Sequence, residues 1–193
     1  MRRVLLLMAC VLFGTGIALQ AQTTENLFKR EIKKAEKEAR KQAELAENKI
    51  LYAAAVKALE DKEFVLEADR VEFKRGRFVY VTPSTNFVSL TDGQAAIQLS
   101  FNTGAAGPNG IGGITVEGKP SGIEMSTDKK GNVNFKMMIQ GSAVSASVNI
   151  RLQNETNKAT VTVNPNFNSH RISFTGTLYP TENSNTFKGR SLF

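Results

Sequence analysis

Val133-Asn134-Phe135-Lys136-Met137-Met138-Ile139-Gln140-Gly141-Ser142-Ala143-Val144-Ser145-Ala146-Ser147-Val148-Asn149-Ile150-Arg151-Leu152 is the stretch that decides the fold. Val133, Phe135, Met137 and Ile139 alternate with Asn134, Lys136 and Met138. Past Gln140-Gly141, Val144, Ala146, Val148, Ile150 and Leu152 alternate with Ser145, Ser147, Asn149 and Arg151. An apolar period of two places one face of each run in a core and the other in water, the pattern of half-buried antiparallel strands. The Gly-containing break between the runs is short enough to be a hairpin.

The same period extends in both directions. Ala95, Ile97, Leu99 and Phe101 alternate with polar or small residues, as do Ala159, Val161 and Val163. Turn chemistry separates the runs at Asp92-Gly93, Lys130-Gly131-Asn132 and Asn154 to Asn157, which implies hairpins between sequential neighbours. Adding the apolar segments 64–73, 78–81, 87–90, 114–116, 123–125 and 172–178 predicts about nine or ten strands. The fold class is therefore mainly β: an antiparallel meander over residues 64–193, curled into a sandwich or a barrel so that one face is buried and few edges are exposed. Outer-membrane barrels share the period but carry aromatic girdles and a lipid-facing apolar band. Here the outer face is Ser, Thr, Asn and Lys and the chain has no Trp, which favours a soluble domain.

Upstream of Phe64 the composition changes. Residues 24–63 lack Gly and Pro, are rich in Ala, Glu, Lys and Leu, and place opposite charges at helical spacing, as in Glu25 with Lys29 and Glu36 with Arg40. Residues 22–63 are read as a charged N-terminal helical segment. Its first half carries only a thin stripe, Ile32, Ala35, Ala39 and Ala43, and is expected to stand in solvent. Its second half is richer, with Leu45, Ile50, Leu51, Tyr52, Ala55, Val56 and Leu59, and residues 46–59 are expected to pack on the β domain.

The first 21 residues have the order of a secretory signal peptide: Arg2 and Arg3, an apolar run from Val4 to Leu19, then Leu19-Gln20-Ala21 ending in a small residue. The run is short for a membrane span, and polar chain follows at once. Cleavage after Ala21 is the expectation, giving an exported periplasmic or secreted protein that does not span the membrane. Leu7-Met8-Ala9-Cys10 offers the alternative of a lipid anchor at Cys10, although apolar sequence continues beyond it. Cleavage would remove the single cysteine and with it disulfides, thiol nucleophiles and Cys-ligated metals. The formal charge of +7 falls by two with Arg2 and Arg3, leaving an excess too diffuse to argue nucleic-acid binding.

Phe64-Val65-Leu66-Glu67-Ala68-Asp69-Arg70-Val71, the segment from Gly107-Pro108-Asn109-Gly110 to Val116, Pro165-Asn166-Phe167-Asn168-Ser169 and Phe187-Lys188-Gly189-Arg190-Ser191-Leu192 occur in that order. With the signal and the charged helix, they resemble an uncharacterised family of exported Bacteroidetes proteins, domain of unknown function 4251. The resemblance covers nearly all of the mature chain and implies an envelope or secreted bacterial protein. It implies no activity, ligand or catalytic residue.

No catalytic constellation is legible in the chain. His170 is the only histidine; without a Gly-x-Ser-x-Gly elbow it is read as part of a polar turn, 168–171, before a strand. A zinc site would need three or four ligands the chain does not supply, and no cofactor is expected. Glu67 and Asp69 share a strand face at i,i+2 and are the candidates for a hard cation or a carboxylate pair, but Arg70, Lys74 and Arg75 stand beside them, so a solvated ion-pair surface is the favoured reading and no metal is assigned. Lys74, Arg75 and Arg77 with Phe73, Phe78 and Tyr80 have the residue types of a stacking surface for nucleic acid; around Gly76 they read instead as a hairpin tip. Asn154-Glu155-Thr156 matches a glycosylation acceptor that is idle in a bacterium. The Gly-rich segment 104–113 matches neither a P-loop nor a dinucleotide fingerprint. Gly107, Asn109, Gly110, Gly112 and Gly113 are its candidate ligand contacts, with a structural loop as the competing and favoured use.

The leading reading is a non-catalytic interaction module of the envelope, whose charged helix meets a partner protein or surface component. The alternative is a lipocalin-like binder of a small molecule or glycan, using the barrel interior with 104–113 at its rim. A hydrolase resting on Glu67 and Asp69 comes third.

Overall fold

The computed structural model describes residues 2–101, 107–141, 145–166 and 171–191, with side chains described from Phe28 onward. His170, Asn168 and Ser169, the loop residues 104–106, Val144 and the side chain of Cys10 lie outside the described residues. The chain divides into two compact units, residues 1–46 and 47–193.

Helix α1 runs Arg2–Asp61. In the first unit, residues 28–46 are exposed on every side, including Phe28 at 63% and Ile32 at 42%, as expected for a helix with so thin an apolar stripe. In the second unit the last turns of α1 enter the core: Ala55, Ala58 and Leu59 are buried, and Tyr52 and Val56 pack against them. Ile50 does not join them and is 71% exposed. At about 100° per residue, it lies roughly 200° around the helix from Tyr52, so both cannot face the same core. The helix stops in a Schellman turn, in which Lys62 adopts φ 63° while Glu63 N donates to Ala58 O at 3.0 Å and Lys62 N to Leu59 O at 3.3 Å.

Nine antiparallel strands follow: β1 (Phe64–Phe73), β2 (Phe78–Tyr80), β3 (Phe87–Thr91), β4 (Gln94–Ser100), β5 (Gly113–Thr127), β6 (Val133–Gln140), β7 (Ser145–Leu152), β8 (Lys158–Pro165) and β9 (Ile172–Pro180). Consecutive strands from β3 to β9 pair as neighbours, and β1 pairs with both β3 and β9, closing an eight-stranded barrel. Closure leaves no open sheet edge around the ring, which settles sandwich against barrel. The ninth strand, β2, pairs with Arg70, Val71 and Glu72 on the edge of β1 that β3 uses lower down, at Phe64 to Glu67.

Two segments expected as separate strands, 114–116 and 123–125, are one. Pro120-Ser121-Gly122 reads as a turn but forms a bulge inside β5, where the register shifts between Ser121 and Glu124. Gly113 to Gly118 pair with β4, and Lys119 to Thr127 pair with β6. A strand that changes partners along its length supplies the stagger that barrel closure requires.

The interior is filled with side chains. Phe64, Leu66, Val88, Leu90, Phe135, Met137, Ile139, Val148, Ile150, Leu152, Val161, Phe174 and Leu178 are all at most 2% exposed and form one cluster with the end of α1. Phe64 and Phe135 meet edge to face at 5.4 Å between ring centroids. A second, smaller apolar cluster, Val65, Phe87 and Ala96, lies on the outer wall.

Candidate functional site

Alternation along the strands sends Val65, Ser89, Ala96 and Glu117 outward, and the register places them in one transverse row: Val65 opposite Ser89, Ser89 opposite Ala96, Ala96 opposite Glu117. The segment after β9 crosses this wall as a second layer. Thr181 N donates to Glu63 O at 3.2 Å, Ser184 Oγ and Asn185 N to Glu67 Oε1 at 2.8 and 3.1 Å, and Phe187 N to Ser84 O at 2.8 Å. Lys188 Nζ meets Glu117 Oε1 at 2.6 Å. Between wall and tail, where the row carries the small residues Ser89 and Ala96, a cleft of about 320 Å³ remains. Its apolar lining is Val65, Phe87 and Ala96, and its polar groups are the hydroxyls of Ser89, Thr91, Thr181, Ser184 and Thr186 together with Asp92, Gln94, Glu117 and Lys188.

Beside the cleft the tail is bound to the Gly-rich loop through buried amides. Gln98, fully buried, donates from Nε2 to Thr85 O (3.1 Å) and Phe187 O (2.8 Å), and accepts at Oε1 from Thr115 Oγ1 (2.9 Å) and Gly189 N (2.8 Å). Its four hydrogen-bonding positions are all in use. Asn109 Oδ1 accepts from Ile111 N (3.1 Å) and Gly113 N (2.9 Å), while its Nδ2 donates to Thr115 Oγ1 (3.2 Å). Asn86 Oδ1 accepts from Ser100 N at 2.8 Å, and Ser100 Oγ donates to Ile111 O.

That network shows where the candidate loop residues lie. Asn109 is 1% exposed and turned inward, and its backbone oxygen accepts from Arg190 N at 3.0 Å. Gly107 and Gly113 permit close backbone packing: a Cβ on Gly107, at φ +60°, would stand 2.5 Å from Gly113 N, and one on Gly113 would stand 1.8 Å from Leu99 O. Gly110 and Gly112 hold positive φ in the same turn. From Gly107 on, the loop is thus folded against β4, β5 and the tail, and its described residues are not among those lining the cleft. The inward positions of the barrel are occupied by the core side chains, which weighs against a ligand in its interior.

Glu67 and Asp69 have different surroundings. A bulge between Ala68 and Arg70 interrupts the alternation on which a shared face depends. Glu67 is half-buried and holds the tail, whereas Asp69 is exposed. Among the described residues no three His, Cys, Asp or Glu side chains are grouped as a metal site. The basic and aromatic residues around Gly76 form a hairpin tip, with a 3₁₀ turn at Lys74–Gly76 between β1 and β2. Arg70 is engaged there, 2.9 Å from Glu72 and with its guanidinium carbon 4.3 Å from the Phe78 ring centroid.

A further polar cluster sits at the β5–β6 turn. Asp128 Oδ1 accepts from Lys130 N (2.8 Å) and Asn132 N (2.9 Å), and its Oδ2 from Asn132 Nδ2 (2.9 Å) and Arg151 Nη2 (3.0 Å). The bond from the Asn132 side chain, with the backbone donors and Arg151, holds the Asp128 carboxyl below the ordinary aspartate range. Tyr52 OH donates to Gly131 O in this turn at 2.7 Å, and burial, followed by the charge of Asp128, raises its phenol.

Fold and surface together define an antiparallel barrel with a solid core, an N-terminal helix and an outer-wall cleft. The chain belongs to the DUF4251 family, a domain of unknown function whose family model matches residues 46–178. A solved DUF4251 family protein from Bacteroides eggerthii is 48% identical, covering 73% of this chain and 95% of its own, with a TM-score of 0.63. No curated protein matches. Among the described residues no helix is long and apolar enough to cross a membrane.

Proposed function

We propose that the protein is a non-catalytic interaction module of the bacterial cell envelope, exported by its N-terminal signal and meeting a partner protein through the charged segment of α1. The observation that carries this reading is the exposure of Phe28, Ile32 and Leu45 in the first of the two compact units, residues 1–46. Helices short of tertiary contacts gain little from propensity alone, so an exposed helix of this length is better explained by a surface it meets elsewhere. The barrel and the last turns of α1 share one core and serve as the scaffold. Export is supported by the order of charged, apolar and small residues in 1–21, and the Bacteroides relative is consistent with a bacterial envelope setting.

Deletion of residues 24–43 tests the reading. The expected outcome is an unchanged thermal transition of the barrel together with loss of the partner recovered by crosslinking from envelope fractions. Retention of that partner by the deleted form would overturn it.

A further inference from the structure

The cleft on the outer wall is independent of the helix, and its chemistry is specific enough to name what it takes. We propose that it binds a neutral polyhydroxylated ligand, one sugar ring or a short saccharide, between β3, β4 and the C-terminal tail.

Ser89 supplies the first contact. This residue is only 8% exposed and lines the cleft, yet among the described residues its hydroxyl has no hydrogen-bond partner. Its oxygen is open to the cleft rather than sealed from solvent, so a ligand hydroxyl placed there can take the place of water as its partner. Glu117 stands next but one along the row, its side chain 19% exposed, with Oε1 taken by Lys188 and Oε2 able to accept. Gln94 at the rim both donates and accepts. Groups that donate, accept, or do both match a hydroxyl-bearing ligand, because each hydroxyl does both as well.

Other ligand classes fit less well. An anion would meet Asp92 and Glu117, with Lys188 already neutralised by its ion pair. An apolar molecule would bury Ser89 and the second oxygen of Glu117 with no partner. The volume, about 320 Å³, is at the small end of ligand pockets, which limits the occupant to about one or two rings. The opening exists because Ser89 and Ala96, paired in register, are both small; a large side chain at either position would close it.

Amide NMR on the intact, isotopically labelled chain tests the assignment, with glucose, N-acetylglucosamine and cellobiose as probes and glycerol and acetate as controls. The expected result is a saturable shift at Ser89, Ala96 and Glu117 with at least one of the three sugars at about millimolar concentration and none with either control. Ala96→Leu, which fills the cleft, and Ser89→Val, which removes the hydroxyl, should each weaken binding at least about tenfold while the melting temperature holds. If Ala96→Leu fails to fold, Ser89→Val decides alone. No saturable shift with any sugar, equal shifts with glycerol or acetate, or undiminished binding by Ser89→Val would overturn the proposal.

Discussion

Gln98 and Thr115 stand opposite each other in the β4–β5 register, and the Thr115 hydroxyl donates to Gln98 Oε1 at 2.9 Å, both residues being fully buried. Through this pair the strands, the Gly-rich loop and the tail share one polar network. Its members come from positions as far apart as Thr85 and Gly189.

Gln98→Leu should therefore cost more than one surface hydrogen bond. It leaves Gly189 N and the Thr85 and Phe187 carbonyls without partners, and a loss of about 3 kcal/mol is expected from urea unfolding. Hydrogen exchange at Gly189 should quicken in the same variant, because its acceptor is gone. An unchanged Gly189 rate would show that the tail is held by other means.

Gly113→Ala and Gly110→Ala separate close packing from backbone strain. At Gly113 a methyl group would meet the Leu99 carbonyl, so β4 and β5 must part, at about 3 kcal/mol or more. At Gly110, with φ +81° and open space around it, the cost is only that of a left-handed alanine, about 1 kcal/mol. Equal losses by chemical denaturation would refute the close approach.

Leu59→Ala should destabilise the barrel by about 3 kcal/mol, since the residue is 1% exposed within the main core. Ile50→Ala should change stability by less than about 0.5 kcal/mol. The reverse ranking in thermal melts would mean that α1 docks through a different face.

Asp128 gives a pH signature. Its carboxyl is held below the ordinary aspartate range chiefly by the Asn132 side chain, so the unfolded chain takes up a proton at higher pH than the folded one. The stability it adds is complete above about pH 4 and fades as pH falls through the lower folded value. Asp128→Asn should flatten the acid limb of the stability curve below about pH 4. An acid limb as steep as the parent's would remove Asp128 as its source.

The strands were legible because inward positions recur every second residue, and Asp92-Gly93 was legible because both residues hold positive φ in a hairpin turn. The merger of two expected strands into β5 was not, since Pro120-Ser121-Gly122 has the composition of a turn, and only pairing with β6 across the bulge keeps it extended. Nor was the outward turn of Ile50: composition reveals that a helix segment is apolar, and its docked face is fixed only by which residues reach the core. The cleft was out of reach for a further reason. Val65, Ser89, Ala96, Glu117 and Lys188 become neighbours through the register of four strands and the return of the tail, and no local motif records that.

Photo-crosslinking in living cells tests the central claim most directly, with the crosslinking side chain placed at Ile32 on the exposed stripe of α1 and, separately, at Thr160 on the barrel wall. The account predicts a discrete protein adduct from position 32 and none from position 160. No adduct from position 32, or the same adduct from both positions, would contradict it.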